Sequence, residues 1–255
     1  MKISVITPTY NSEKTIEDTL KSVCDQDFDN FEHIIIDNES SDDTLKIVKK
    51  YKDKSNLVVI SEKDNSLYDA MNKGVKLATG DIVGIINSDD FYNFNTVFSL
   101  INNIFEENND IQGIYSDLIY IDKKNKNKIV RYWKSGELKE NKLKDGWVMP
   151  HPTVFLRKEV YDDFDKPFRE CLSLAADYEF LLRLIKIKKI NFFYIKKVLV
   201  KMREGGVSSS SLKQRIKGWK QLRKSWKING FNVPRFFIIR RIFSKLKQLI
   251  SISIK

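Results

Sequence analysis

Ile82-Val83-Gly84-Ile85-Ile86-Asn87-Ser88-Asp89-Asp90 is the stretch on which the fold is decided. Four β-branched residues in five positions, with only Gly84 among them, read as a short strand buried on both faces. The strand ends at two adjacent carboxylates. In an open parallel sheet covered by helices, the crevice beyond the carboxyl ends of the strands takes the ligand, so Asp89 and Asp90 are expected to face one. Carboxylates side by side repel, and a divalent cation relieves the repulsion. On its own Ser-Asp-Asp also suits a solvated turn that opens a helix, so the surroundings must decide.

Upstream, Ile3 to Thr7 reads as a strand stopped by Pro8, which has no N–H for a ladder. Asn11 or Ser12 can cap the next helix, whose apolar residues Ile16, Leu20, Val23 and Cys24 recur at helical spacing. Glu32 to Ile36 is a second strand, ending on Asp37. Asn38 to Asp43 offers caps for a helix carrying Leu45, Val48 and Tyr51, and Leu57 to Ile60 is a third strand. A helix with Leu67, Met71, Val75 and Ala78 on one face follows, with Gly80 read as its left-handed cap. Strands alternating with helices at this spacing predict a mostly parallel sheet with right-handed crossovers, and the loops after Thr7, Ile36 and Ile86 then meet at one edge, able to hold a nucleotide.

The chain of 255 residues, 42% of them hydrophobic, can bury a substantial core. Cys24 and Cys171 lack metal-ligand or redox spacing, which gives no disulfide framework and suits a reducing compartment. The N-terminal apolar run is short for a signal peptide, and no stretch reaches the ~18 apolar residues of a membrane span, so a cytoplasmic chain is expected. The net charge of +11 is unevenly distributed: residues 186–255 hold 20 Lys and Arg against the single Glu204. The end of the chain is therefore a separate electrostatic object.

Downstream, Phe94 to Phe105 reads as a helix. Ile114 to Ile121 and Ile129 to Trp133 flank a charged tip, Lys123 to Lys128, as a β-hairpin. Trp147 to Arg157 is a loop feeding a short strand, and within it His151 is held stiffly between Pro150 and Pro152. Leu172 to Leu184 opens a helix with Asp177 in its first turn, where the macrodipole alone favours a carboxylate. After strands over Asn191 to Met202, the stretch Arg203 to Ser211 reads as a flexible Gly and Ser segment of the kind that closes over a ligand. Leu212 to Lys227 and Arg235 to Lys255 then read as basic helices interleaved with Ile, Leu, Phe and Trp.

Taken in order, Val5-Ile6-Thr7-Pro8-Thr9-Tyr10-Asn11, Ile36-Asp37-Asn38-Glu39-Ser40-Ser41-Asp42-Asp43-Thr44, Ser61-Glu62-Lys63-Asp64 with Tyr68-Asp69-Ala70-Met71-Asn72-Lys73-Gly74, and Ala78-Thr79-Gly80-Asp81 with Asn87-Ser88-Asp89-Asp90 resemble the successive motifs of family 2 glycosyltransferases with the GT-A fold. The order over some ninety residues carries the resemblance. It implies an α/β, Rossmann-like nucleotide-diphospho-sugar transferase domain over residues 1–210, with a nucleotide-sugar half (1–110) and an acceptor half (111–210), followed by a basic amphipathic helical tail (211–255). It further implies that Thr7, Pro8, Tyr10 and Asp37 hold the base and ribose, that Asp64 and Lys73 lie near the base and diphosphate, and that Asp89 meets the donor. Asp90 would be the principal ligand of Mn²⁺ or Mg²⁺, with His151 as a second, and Asp177 the catalytic base. Two departures stand out: Ser88 replaces the first Asp of the metal motif, and Glu39 stands where Gly is usual.

The implied activity is inverting transfer of a hexose, UDP-glucose or UDP-galactose being the first guess as donor, to an undecaprenyl-diphosphate-linked sugar in O-antigen or capsule synthesis. The cationic tail, with Phe236, Phe237, Ile238, Ile239, Ile242, Phe243, Leu246, Leu249 and Ile250, is expected to lie on the anionic inner membrane, unless its apolar face packs on the body. A nucleotidyltransferase would also use carboxylate-bound metal, but Thr7 to Asn11 lacks a Gly-rich phosphate loop. Nucleic-acid binding through the tail has no accompanying motif and is not expected.

Overall fold

The computed structural model describes residues 1–52, 54, 56–205 and 211–250. In chain order its strands are β1 (Ile3–Thr9), β2 (Phe31–Asp37), β3 (Leu57–Ser61), β4 (Ile82–Ile85), β5 (Phe91–Tyr92), β6 (Gly113–Ile121), β7 (Ile129–Trp133), β8 (Phe155–Arg157) and β9 (Phe192–Arg203). The helices are α1 (Ile16–Cys24), α2 (Thr44–Lys49), α3 (Leu67–Leu77), α4 (Val97–Glu107), α5 (Glu140–Lys144), α6 (Lys158–Asp162), α7 (Ala176–Arg183), α8 (Leu212–Ile228) and α9 (Phe237–Ile250).

The sheet runs β3-β2-β1-β4-β8-β6-β9-β5, with β7 added to β6 as the expected hairpin. Strands β1 to β4 are mutually parallel. Beyond them β8 is antiparallel to β4, β6 antiparallel to β8, β9 parallel to β6 and β5 antiparallel to β9. Alternation along the strands sends Ile3, Val5, Ile82 and Ile86 to one face, where Val23 of α1 and Phe98, Ile101 and Phe105 of α4 cover them. Ile6, Ile34, Ile36, Val83 and Ile85 go to the other, under Met71 and Val75 of α3 and Phe180 and Leu181 of α7. This is the pattern of a sheet buried on both sides. The two halves meet along three residue pairs of β4 and β8, where Gly84 lies opposite Phe155; a Cβ on Gly84 would come within 2.5 Å of that ring.

Three local expectations are corrected. Pro8 does not stop β1 but pairs with Ile36 inside it. The Ile86 N–H donates to the Ile6 carbonyl (2.9 Å) and the Asn38 N–H to that of Thr9 (3.0 Å), so even-numbered residues turn their backbone toward β4. Pairing with β4 ends at Ile6, hence the donor that Pro8 lacks faces no strand. Neither Asn11 nor Ser12 caps α1 through its side chain: the Ser12 carbonyl accepts the N–H groups of Thr15 and Ile16, while Asn11 Oδ1 accepts from the Ser41 N–H at 2.9 Å. Gly80 is not a left-handed cap, since α3 ends in extended backbone at Ala78 (φ −63°, ψ 127°). Gly80 is required instead by close approach, a Cβ there lying 2.8 Å from both the Lys2 carbonyl oxygen and the Ser4 nitrogen.

The basic C-terminal helices are packed, not detached. Leu222 and Trp226 of α8 and Phe237 of α9 are buried in the core over α7. The Trp226 indole N–H donates to the Tyr178 hydroxyl (2.9 Å) and the Asn229 amide to Glu179 Oε1 (2.9 Å). Each such apolar burial is worth ~1.5–3 kcal/mol, whereas the exposed Arg240–Asp145 pair adds at most ~1 kcal/mol, so apolar contact holds the helices despite their charge. Of the expected Gly and Ser segment, Gly206 to Ser210 lie outside the described residues, as do residues 251–255 and the side chains of Leu246, Leu249 and Ile250. No helix among the described residues is long and apolar enough to cross a membrane.

Because backbone atoms crowd Gly80, Gly80→Ala is expected to destabilise by ~1–3 kcal/mol, typical of forced overpacking. Urea denaturation checks this, and a change within ~0.5 kcal/mol would contradict the close-approach account.

Candidate active site

The loops after β1 and β2 are tied together at the carboxyl edge of the sheet. The Asn11 N–H donates to Ser40 Oγ (2.8 Å), the Ser12 N–H to Thr44 Oγ1 (2.7 Å), and the Ser12 and Ser88 hydroxyls share a bond of 2.8 Å. Asn11 (φ 47°) and Glu39 (φ 50°) are left-handed without being glycine. At Glu39 this explains why Gly suits the position: an L side chain there costs on the order of 1 kcal/mol. Tyr10 is 58% exposed and is the side chain of this loop most available to a planar base.

Of the residues expected to hold the nucleotide, several are already engaged. Thr7 Oγ1 is buried against His33 Nε2 (2.9 Å). Pro8 is buried within β1. The Asp37 carboxylate, also buried, accepts the Ser40 N–H (3.0 Å) and hydroxyl (2.5 Å) and the Ser61 hydroxyl (2.7 Å). Asp64 is ion-paired with Lys73 at 2.8 Å, and Lys73 also reaches Glu62 at 2.7 Å. Burial pushes the Asp64 carboxyl up in spite of Lys73, while its two carboxylate partners raise the lysine further. The two therefore act as one unit at the edge of the nucleotide side.

Asp89 and Asp90 sit where β4 gives way to β5. Asp90 is fully buried; its Oδ2 accepts from Asn87 Nδ2 (3.0 Å) and its Oδ1 from the Arg203 N–H (3.3 Å). Burial first, then the Asp89 charge, push the Asp90 carboxyl well above its ordinary 3.8. Burial also raises Asp89, against the pull of Arg203. Asp89 is the half-exposed member of the pair. Two carboxyls driven toward the neutral form recover their charge when a hard divalent cation sits on them, so this oxygen donor set fits Mn²⁺ or Mg²⁺ completed by phosphate oxygens and water. Among the described residues no group of three His, Cys, Asp or Glu side chains is arranged to hold a metal.

His151, the second expected ligand, is buried. It lies in a single 3₁₀ turn, His151–Thr153, with its ring edge-on to Phe168 (5.4 Å), and its electrostatic neighbour is Asp177. Burial pushes its pKa down, opposed by Asp177. Asp177 is half-exposed in the first turn of α7 and accepts the Tyr68 hydroxyl at 3.0 Å. Tyr68 is aimed there because Asn72, one turn on in α3, exchanges two hydrogen bonds with the Phe168 backbone (2.8 and 2.9 Å). Glu179, the other acid in that turn, is fully buried, and its oxygens are taken up by Arg183 (Nε at 2.8 Å, Nη2 at 3.0 Å) and Asn229 (2.9 Å).

Reading the sequence missed Tyr68, although it lay within a quoted motif, and Arg203, which was taken for the start of a flexible segment. Arg203 Nη1 donates to the Asp89 carbonyl (2.5 Å) and Nη2 pairs with Asp18. Its signal was weak: one cation at the end of an apolar strand.

The Thr7–His33 contact yields a pH dependence. Burial holds His33 at about 3, below the 6.5 of an exposed imidazole, so the proton prefers the unfolded chain. The stabilisation is complete above pH 6.5 and is lost as pH falls from there toward 3, by up to ~1.4 kcal/mol per unit. Urea unfolding at pH 7, 6 and 5 is expected to show this slope, and His33→Gln, which stays neutral and can still bond Thr7, to remove its share; an unchanged slope would contradict the assignment.

A model described as glycosyl transferase family 2 matches residues 4–164. The chain is 28% identical over 229 residues to UDP-Glc:alpha-D-GlcNAc-diphosphoundecaprenol beta-1,3-glucosyltransferase WfgD of Escherichia coli, a match that covers 89% of this chain and 85% of that protein. It is 42% identical over 115 residues to poly(ribitol-phosphate) beta-N-acetylglucosaminyltransferase TarS of Staphylococcus aureus, covering 44% of this chain but only 20% of that relative's length. The structure of S. aureus TarS 1–349 in complex with UDP-GlcNAc superposes with a TM-score of 0.72 at 23% identity, over all of this chain and 76% of that one, and shares the fold. With the parallel nucleotide-side strands, the ordered loop motifs and the Asp89–Asp90 turn in place, the family match leads to one conclusion: the chain belongs to glycosyl transferase family 2, with the GT-A architecture.

Proposed function

We propose that this chain is an inverting glycosyltransferase that moves a hexose from a UDP-sugar to the hydroxyl of a sugar carried on a lipid diphosphate. One observation carries the reading. Asp177 is half-exposed, held by the Tyr68 hydroxyl and without a cation salt bridge among the described residues, while the Asp89–Asp90 pair stands separately at the end of β4. The arrangement offers a proton acceptor and, apart from it, a place for a departing diphosphate. The similarity to WfgD, whose name specifies UDP-glucose and a diphosphoundecaprenol acceptor, supports UDP-glucose as donor ahead of UDP-galactose, and an undecaprenyl-diphosphate-linked N-acetylhexosamine as acceptor.

In this mechanism Tyr68 occupies Asp177 Oδ1 and leaves the other oxygen for the acceptor hydroxyl. Asp177 takes the proton as the acceptor oxygen attacks the anomeric carbon from the face opposite the diphosphate, so the configuration inverts and no protein nucleophile is needed. Burial lowers the pKa of His151, against the effect of Asp177, which makes the imidazole a weaker base. Asp89, with Asp90 behind it, would hold Mn²⁺ or Mg²⁺, which when bound screens the charge of the diphosphate. A neighbour of the same fold, the mannosyltransferase PcManGT of Pyrobaculum calidifontis, is a complex with GDP-Man and Mn2+. Tyr10, Asp64 and Lys73 line the base side, with Thr7, Pro8 and Asp37 shaping the backbone that a nucleotide meets.

We further propose that the protein works at the cytoplasmic face of the inner membrane. Phe236, Ile239, Ile242 and Phe243 are exposed on and beside α9, next to Arg235 and Arg240. Apolar side chains flanked by cations match an anionic bilayer surface, where each basic residue contributes ~1 kcal/mol.

Two measurements test these readings. A panel of UDP-hexoses with a synthetic lipid-diphosphate N-acetylhexosamine, assayed with and without manganese, is expected to reveal transfer that Asp177→Asn lowers at least ~100-fold at near-normal UDP affinity. Retention of most of the rate would place the base elsewhere. For the membrane, co-sedimentation with phosphatidylglycerol vesicles but not phosphatidylcholine vesicles is expected, and Ile239→Glu with Phe243→Glu should abolish it; equal binding to both lipids would refute the electrostatic part.

A further inference from the structure

The mechanism leaves unused a pair of cations where α9 packs on β7. The Arg131 guanidinium of β7 lies over the Tyr120 ring, 3.6 Å from its centroid, and Tyr120 in turn stacks on Trp133 (6.4 Å, 7°). Arg131 Nε and Trp133 Nε1 are buried without a hydrogen-bond partner. Arg241 of α9 donates through Nη1 to the Gly146 carbonyl, and its guanidinium lies 5.6 Å from the Tyr178 ring. The approach is built into the backbone: Gly146 is left-handed (φ 72°), and a Cβ there would come within 2.6 Å of Arg241 Cβ. Among the described residues neither arginine forms a salt bridge with a carboxylate.

Half-buried cations without counter-charges carry a cost, and two that repel each other a larger one. Burial works against the charge of Arg241, and so does Arg131; the groups favouring it are Tyr178, Asp177 and Tyr120. Arg131 lies over Tyr120, which also feels the charge of Asp90, and Arg241 lies beside Tyr178, the residue after Asp177. An arrangement of this kind is completed by a compact, multiply charged anion. A guanidinium fork matches two oxygens of one phosphoryl group, and two forks match a diphosphate better than a single phosphate or a carboxylate.

We propose that Arg131 and Arg241 together hold a diphosphate beside Asp177, which makes α9 a working wall of the cleft. The proposal rests on the glycosyl-transfer reading only for the source of that group, the UDP-sugar or the lipid diphosphate of the acceptor.

The test uses the full chain and its Arg131→Gln and Arg241→Gln variants; the glutamine amide can still donate to Gly146, and unchanged thermal unfolding verifies the fold. Calorimetric titration with inorganic pyrophosphate is expected to show binding that each variant weakens about tenfold or more, as befits the loss of a charge-assisted bond. Absence of pyrophosphate binding by the wild type, or affinities in both variants within twofold of it, would overturn the proposal. Steady-state kinetics separate the sources. A rise in KM for the UDP-hexose alone assigns the donor diphosphate. A rise for the lipid-diphosphate acceptor, but not for the same sugar as an alkyl glycoside, assigns the acceptor's. Arginine-dependent pyrophosphate binding in a protein that transfers no hexose would refute the glycosyltransferase reading and uphold this one.

Discussion

Arg203 is the constraint on which the cleft depends. It ends β9, the strand that must lie between β6 and β5 for the second half of the sheet to close. From that position it reaches α1 through Asp18, the β4–β5 turn through the Asp89 carbonyl, and Asp90 through its own N–H. One residue thus joins the first crossover helix, the carboxylate pair and the last strand. A guanidinium can do this because its fork serves several acceptors at once, and a lysine at the same place would offer a point charge without the reach. The pair Asp89 and Asp90 is consequently asymmetric: Asp90 is locked from behind by Asn87 and Arg203, and Asp89 is left as the more accessible face.

The parallel half was legible because its determinants are local. β-Branched runs between polar turns mark β1, β2 and β4, and apolar residues at helical spacing mark α1 and α3. Errors arose where a residue's role is set by a neighbour far away in the chain. Gly80 resembles a helix cap in sequence, but the reason for it is the backbone of Lys2 to Ser4. Pro8 looks like a strand stop, yet the strand it would offend ends two residues earlier. Asp90 is read as the principal ligand of the pair, and how deeply it is locked depends in part on Arg203, more than a hundred residues on.

The C-terminal helices show how composition misleads about packing. Their surplus of Lys and Arg reads as a detached cationic tail, whereas Leu222, Trp226 and Phe237 are core residues. Long basic side chains permit this because their charged heads reach water while the apolar residues at helical spacing stay inward. The division near residue 210 is a change in charge, and the packing continues across it. In this arrangement Tyr178 links α8, α9 and Asp177, since it receives the Trp226 indole, packs against Phe237 and directly follows Asp177 in α7.

The seam between β4 and β8 also bears on how the chain assembles during synthesis. Strands β1 to β4 pair with partners fewer than about ninety residues away, so this half can gain its contacts as it leaves the ribosome. In the second half β7 and then β8 pair early with one edge of β6 or the other, but the long parallel pairing comes late. β6 gains its long parallel partner only when β9 appears, some eighty residues later, and β5 waits longer still, although it directly follows β4 in the chain. During elongation Asp89 and Asp90 therefore stand at an unfinished sheet edge, two acids before a short aromatic strand, where charge discourages strand addition by other molecules.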